Sequence, residues 1–322
     1  LFFKNCRFGI IKLMNAELEK VIEELKKNPK DHDLRRKMAF LLHDGGYEKE
    51  ALEQLKYLST IYENDEEICF RLGVLYEKFR QLNEAIASYE KAVELNPKNP
   101  DYTYNLAYCY DISDLTDKAM EYYQKTLVLD PNDSNAYFNL ALQYIKKNEA
   151  EEAEKNLLKT ISLNPKDPYA HFYLAYEYQK RGLIDKAIEH YNKVIEVCPD
   201  YSWAYYNLGY IYFKKGDKAK AKKFIEQTLI LNPKDVDAAK TLAMIEISEG
   251  KLNDAYNTIK NAISFNKENG DLYFNLAQIH KKLGNEEKMI SCLKYAIKYR
   301  ENLTYSIDII KEELKNFQNR GK

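Results

Sequence analysis

The sequence lacks Gly/Ser-rich and Pro-rich segments, and only 8 prolines and 11 glycines occur among its 322 residues, so no flexible linker divides it. No apolar run approaches the roughly 20 residues that a membrane-spanning helix needs, so no membrane insertion is expected. An excess of positive charge is also missing, since 49 basic residues are balanced by 50 acidic ones. Because nucleic-acid binders usually carry a basic face, this balance argues against nucleic acid as a partner.

The cysteines are few and scattered, and no CxxC pair occurs among them: Cys6, Cys69, Cys109, Cys198 and Cys292. This spacing offers no disulfide framework, so we expect reduced thiols and a cytoplasmic protein. Residues 1–14 begin without Met and lack a small-residue cleavage site, so they make a poor signal peptide. They are interpreted as an N-terminal extension, with disorder as one interpretation.

What the sequence does contain is a repeat of 34 residues. Alanines and leucines keep this period along most of the chain, and so do five prolines: Pro97, Pro131, Pro165, Pro199 and Pro233. Three residue types sharing one period predict tandem copies of one structural unit. If repeats are counted from residue 32, the repeats start at 32, 66, 100, 134, 168, 202, 236 and 270.

Each repeat predicts a helical hairpin. From residue 202, Tyr205, Leu208 and Tyr212 recur with the spacing of one helical face. In five of the eight repeats, proline near the end of the repeat stops the second helix. Position 15 of the repeat, where the chain must reverse, holds a residue that tolerates the left-handed conformation in every repeat but one, with Arg80 as the exception: Gly46, Arg80, Asp114, Asn148, Gly182, Gly216, Gly250 and Gly284.

This pattern resembles the tetratricopeptide repeat (TPR) family, whose unit is a 34-residue helix–turn–helix. Position 8 of each repeat is Ala or Gly, as the family requires where two helices approach closely. The resemblance implies an all-α, right-handed superhelix, or α-solenoid, in place of two domains. Its expected parts are an N-terminal half-repeat helix over 15–31, eight repeats over 32–303, and a C-terminal capping helix and tail over 304–322.

In this family, the inner face of the first helices lines a concave groove that binds partner segments. The resemblance therefore makes the matching residues candidates for a peptide-binding groove. The alternative is that these rings only pack between repeats. The candidates are Tyr104, Asn105, Tyr108, Phe138, Asn139, Phe172, Tyr173, Tyr176, Trp203, Tyr206, Asn207, Tyr210, Phe274 and Asn275.

Two family binding modes can be compared with the sequence residue by residue. The clamp for acidic chaperone tails matches only at Lys240 and Asn275, because Met244, Tyr305 and Ile309 occupy its other places. The row of asparagines is instead similar to the ladder that holds extended peptide in O-linked N-acetylglucosamine transferase. Tyr173 and Thr241 interrupt that row, and no glycosyltransferase domain is present.

Sequence motifs for catalysis are missing: GxGxxG, GxxxxGK[ST], HExxH and GxSxG do not occur. The five histidines fall at different repeat positions, so they are not expected to cluster as metal ligands. Glu246 and His280 replace the aromatic residue at position 11 in consecutive repeats, and are expected either to pair or to mark a weaker core. No catalytic residue, metal or cofactor is expected.

The sequence therefore favours a non-catalytic module that binds an extended peptide or a helical segment of a protein partner. The alternatives are a structural scaffold or self-associating subunit, and the adaptor part of a larger enzyme or secretion system. The sequence does not determine the oligomeric state.

Overall fold

A computed structural model describes residues 16–318, with side chains through residue 315. Over this range the regular structure is helical throughout, with one short 3-10 turn at Arg300–Asn302. The α-helices are α1 (16–27), α2 (His32–Asp44), α3 (Glu48–Ser59), α4 (Glu66–Lys78), α5 (Leu82–Leu95), α6 (Pro100–Ile112), α7 (Thr116–Leu129), α8 (Ser134–Lys146), α9 (Ala150–Leu163), α10 (Pro168–Lys180), α11 (Ile184–Val197), α12 (Ser202–Lys214), α13 (Lys218–Leu231), α14 (Val236–Ser248), α15 (Leu252–Phe265), α16 (Gly270–Lys282), α17 (Glu286–Lys298) and α18 (Ile307–Gln318).

The helices from α2 to α17 pair as antiparallel hairpins, and each first helix begins on a 34-residue mark of the sequence. The residue before that mark is an N-cap whose side chain accepts a hydrogen bond from the first turn in every hairpin except α12/α13: Asp31, Asp65, Asn99, Asp133, Asp167, Asp235 and Asn269. Such a cap contributes about 1 kcal/mol to helix stability. In α12 the cap position is Tyr201, whose side chain makes no such bond.

The reversal inside each hairpin is left-handed at position 15 in all eight hairpins. The backbone N–H that follows donates to the carbonyl of position 11, as Gln81 does to Tyr76 at 2.8 Å. This is the hydrogen bond that closes a Schellman turn. Arg80, which seemed an exception from its sequence, adopts the same conformation with φ of 59°.

Contacts divide the chain into two compact units at Pro165 and Lys166. In the first unit, neighbouring hairpins pack side by side, with α3 against α4, α5 against α6 and α7 against α8. Its core contains the fully buried side chains of Leu55, Ile68, Tyr89 and Tyr123. Tyr89 keeps its buried hydroxyl satisfied by donating to Glu77 at 3.1 Å.

The second unit repeats this packing, with α11 against α12, α13 against α14, and α15 against α16. Gly209 on α12 is needed because a β-carbon there would lie 2.7 Å from Ile225. The C-terminal helix α18 packs on α17 and buries Ile310 in the last core cluster.

The prediction of an all-α fold built from tandem helical hairpins is confirmed. The expectation for residues 1–14 lies outside the described residues. The limits of the predicted parts of the chain stay a prediction.

Replacing Arg80 with glycine should stabilise the first unit. A non-glycine residue in the left-handed region costs roughly 1–2 kcal/mol, and Arg80 has an exposed side chain. We therefore expect Arg80→Gly to raise the free energy of unfolding by about 1 kcal/mol, measured by urea titration with circular dichroism. The reverse change, Gly182→Arg, has open space around the β-carbon and should lower stability by a similar amount. Unchanged urea midpoints in both variants would contradict this account.

Candidate functional site

In the first unit, the candidate residues lie on α6 and α8 and contact one another. The hydroxyl of Tyr104 accepts a hydrogen bond from the side-chain amide of Asn139 at 2.9 Å. The Tyr104 ring packs edge-on against buried Tyr123, and burial raises its pKa. Phe138 is partly buried, whereas Tyr108 is exposed. Tyr104 and Asn139 thus form part of the packing between hairpins, and Tyr108 offers its ring to solvent.

The asparagine row uses part of its hydrogen-bonding capacity within the protein. The side-chain amides of Asn105, Asn207 and Asn275 each donate to the backbone carbonyl four residues earlier, at 2.7–2.8 Å. Asn207 is also buried, with 8% of its surface exposed. These bonds orient the asparagines along their own helices.

In the second unit, α10 and α12 carry a dense group of rings. Trp203 is 56% exposed and meets Tyr206 edge-on, and Tyr206 stacks on Tyr210 with the ring centroids 6.2 Å apart. On α10, Phe172 contacts Tyr173 and Tyr176 is exposed. Tyr169 and Tyr201 belong to the same surface, which we call the aromatic face. It consists of Tyr169, Phe172, Tyr173, Tyr176, Tyr201, Trp203, Tyr206 and Tyr210.

The sequence analysis missed Tyr169 and Tyr201. Tyr169 is 55% exposed and lies one repeat before Trp203, so the 34-residue period could have found it. Tyr201 occupies the N-cap position of α12. The centroid of its ring lies 5.2 Å from that of Phe172 and 6.0 Å from that of Tyr169. The missing Asp or Asn at the cap position was the sequence signal for Tyr201.

The aromatic face carries no charged side chain, but two lysines border it. The ammonium group of Lys180 lies 5.8 Å from the centre of the Tyr176 ring, and that of Lys214 lies 5.3 Å from the centre of the Tyr210 ring. Both lysines are exposed. Positive charge over a ring face is attracted by the quadrupole of the ring. The uncharged rings therefore have a positive border at the C-terminal ends of α10 and α12.

The face ends at α14, where charged groups are already paired. Lys240 donates to Asp237 and to buried Asp271, and Asp271 also accepts from the backbone and hydroxyl of Thr304 at 2.7 Å. Lys240 is therefore committed to internal partners, which adds to the mismatch with the acidic-tail clamp. In the next repeat, the ring of Phe274 packs against Tyr305, with the ring centroids 4.3 Å apart, away from the aromatic face.

One pair of histidines lies in direct contact, which the sequence analysis did not foresee. His171 and His190 place their Nδ1 atoms 2.9 Å apart, between α10 and α11. Positions 4 and 23 face each other across a hairpin, as Arg35 and Gln54 also do, and this relation was missed in the sequence. Burial first, and the neighbouring His171 and Lys186 next, lower the pKa of His190, while Glu189 opposes them.

Glu246 and His280 have separate neighbours, so of the two alternatives for these residues the pairing is wrong. Glu246 accepts a hydrogen bond from Thr258 at 2.9 Å, and His280 packs edge-on against Tyr256. Burial raises the pKa of Glu246 and lowers that of His280. Among residues 16–318, no group of three His, Cys, Asp or Glu side chains could hold a metal ion.

Comparison with protein families supports the repeat directly. Models described as "Tetratricopeptide repeat" or "TPR repeat" match residues 66–99, 88–121, 122–155, 156–189, 175–216, 202–235 and 270–303, more than half of the chain. The chain belongs to the tetratricopeptide repeat family. Its membership supports a protein-interaction module, which is the usual role of TPR chains. No curated protein matches this TPR chain.

Solved structures share the fold. This TPR chain is similar to the C-terminal part of a TPR repeat-containing protein from Cytophaga hutchinsonii (18% identity, TM-score 0.65), over 74% of this chain and 98% of the other. It is also similar to a tetratricopeptide repeat protein from Parabacteroides merdae (21%, 0.50), over 89% and 98%. A third is YrrB, "a TPR protein with an unusual peptide-binding site" (22%, 0.50), over 57% and 94%. In the described part of this TPR chain, no helix is long and apolar enough to span a membrane.

The histidine pair should make the second unit sensitive to acid. Two Nδ1 atoms at 2.9 Å share one proton, so the doubly protonated pair cannot keep this geometry. Because folding lowers the pKa of His190, its contribution to stability is full above the unfolded value of about 6.5 and is lost as the pH falls below it. We expect the urea midpoint of the wild type to fall between pH 7 and pH 5.

The variant His190→Phe tests the source of this pH dependence. It keeps an aromatic ring beside Tyr178 but removes a titrating group, so its urea midpoint should depend less on pH. Some pH dependence should remain because burial also lowers the pKa of His280. The control His32→Phe leaves the pair intact and should keep the slope of the wild type. Equal slopes for His190→Phe and the wild type would refute the role of the pair.

Proposed function

We propose that this chain is a non-catalytic interaction module that binds an extended peptide or a helical segment of a protein partner on the inner face of its first helices. The observation that carries the proposal is the aromatic face of the second unit, with Tyr169, Tyr176 and Trp203 all more than 40% exposed. Large exposed apolar surfaces on soluble proteins commonly mark interaction sites. Rigid rings also bury much area at a small cost in conformational entropy.

The candidate residues differ in the role that we assign to them. Trp203 and Tyr176 would make the main contacts because both are exposed, and partly buried Tyr210 would contribute the accessible part of its ring. Tyr108 would act similarly in the first unit. Asn207 would not contact the ligand directly but would support the helix at Trp203, since its side-chain amide donates to the backbone carbonyl of Trp203. The description of YrrB as a peptide-binding TPR protein is consistent with this use of the fold.

Removing two rings of the aromatic face should weaken binding to the partner. We expect Tyr206→Ala with Tyr210→Ala to lower affinity by about 2 kcal/mol or more, because buried aromatic anchors usually dominate interfaces. Affinity capture from native lysate would identify the partner, and a titration with that partner would measure the change. Normal binding by the double variant would show that the assigned surface is wrong.

A matched control separates binding from folding. Tyr206 also packs near Ile225 and Leu242, so circular dichroism must show that the double variant is folded. Trp203→Ala removes a largely exposed ring and should weaken binding with a smaller effect on stability. Tyr295→Ala removes a ring that is 45% exposed on α17, outside the aromatic face, and should bind as the wild type does.

The scaffold alternative is favoured by one observation at the end of the second unit. Ile309 on α18 is 62% exposed, which offers an apolar side chain for contact with a second copy. Sedimentation analysis tests this alternative, because self-association through α18 should be lost in Ile309→Lys. A concentration-independent monomer would count against it.

A further inference from the structure

We propose that the aromatic face binds a proline-rich extended segment that carries acidic residues beside its prolines. This inference rests on the proposed function and specifies the partner chemistry at the same surface. The proposal rests on the exposed rings of α10 and α12, which have lysines along one border.

The hydrogen-bonding groups of the face match a ligand with few donors. The indole N–H of Trp203 is a donor only, and each tyrosine hydroxyl can donate as well as accept. A proline-rich segment offers backbone carbonyls and lacks the N–H of each proline. Its polyproline II conformation is formed before binding and docks in aromatic grooves with little loss of entropy.

The N-cap of α12 provides a second, independent observation. Seven of the eight hairpins have Asp or Asn at this position with a capping hydrogen bond, and Tyr201 replaces it here. The Tyr201 ring lies against Phe172 and Tyr169 instead. Departures from a local stability rule are expected at functional sites. The chain thus gives up a helix cap and gains a ring between the two helices of the face.

Charge complementarity fixes the acidic part of the ligand. Lys180 and Lys214 lie over the rings of Tyr176 and Tyr210 at one border of the face, whereas Asp237, near Tyr206 at the α14 border, accepts a hydrogen bond from Lys240. Lys180 also contacts buried Glu177 at 3.0 Å, whereas Lys214 faces outward beside its tyrosine. Glutamate or aspartate next to the prolines would reach this border, and the attraction would weaken with salt.

The single tryptophan of the chain makes the test specific to this surface. Trp203 is the only tryptophan, so selective excitation reports on the aromatic face of the unlabelled protein. The probe is a synthetic peptide of about nine residues, roughly 28 Å long in polyproline II geometry, with mostly proline, a glutamate at each end and no aromatic residue. We expect a saturable change in Trp203 emission.

Two matched peptides test the two parts of the proposal. Replacing the prolines with alanine should weaken binding about tenfold. Replacing both glutamates with lysine should weaken it about fivefold at low salt, with a smaller difference at high salt. Equal affinity for the alanine peptide would overturn the proline requirement and would favour an acidic segment of another conformation. Equal affinity for the lysine peptide would overturn the role of Lys180 and Lys214.

The variant Tyr201→Asn separates recognition from folding without adding a charge to the face. It restores an uncharged capping residue, as Asn99 and Asn269 provide in two other repeats, so the urea midpoint should rise, while the affinity for the proline-rich peptide should fall about fivefold. Unchanged or tighter binding by this more stable variant would contradict the role of Tyr201. The double variant Tyr206→Ala, Tyr210→Ala keeps Trp203 and should lose about tenfold or more in affinity; unchanged affinity would place the peptide elsewhere.

The failure of this inference can be distinguished from the failure of the proposed function. If the double variant loses its captured partner but the wild type gives no Trp203 response to the peptide, the surface is correct and the proline-rich ligand is wrong. If the captured partner binds the double variant normally, the proposed function itself is wrong.

Discussion

The left-handed reversal at position 15 of each repeat is the constraint on which the rest of the structure depends. It ends the first helix, starts the second after a fixed number of residues and thereby sets which side chains face each other. Once this register is fixed, Gly209 packs against Ile225, and the residue at position 4 contacts the residue at position 23, as His171 contacts His190. On the first helices α10 and α12, Tyr176 and Trp203 are then left exposed to solvent. Even Arg80 accepts the strained conformation, so the demand for this turn outweighs the preference of the residue.

The repeat period made much of the fold predictable from sequence. Prolines, turn residues and small residues at one spacing located the first helices, because each residue type answers a local physical requirement. The site was less predictable. The exposure of Trp203 followed from its helical position, but the contact between Tyr104 and Asn139 depends on how two hairpins are spaced. His171 and His190 meet across a turn, and no pattern within a single helix reveals that contact.

Tyrosine serves two different purposes in this chain. Tyr89 and Tyr191 are fully buried, and each hydroxyl donates to an acceptor on the preceding helix, at Glu77 and Gln179. Tyr176 and Tyr210 carry the same side chain at positions where the ring meets solvent. An abundance of one residue type therefore does not by itself indicate a binding surface. Its position in the repeat decides which purpose it serves.

The hydrogen bonds of Asp271 show that the last repeat is not energetically self-contained. This carboxylate is 2% exposed and holds both donors of Thr304, a residue that follows the end of the repeat at 303. A chain cut at that boundary would keep every repeat residue, yet the Asp271 carboxylate would lose both donors of Thr304, keep only Lys240 and have to be hydrated. The boundary of a sequence repeat and the boundary of a stable folding unit therefore differ by at least this one residue, which matters to anyone who truncates or transplants these hairpins.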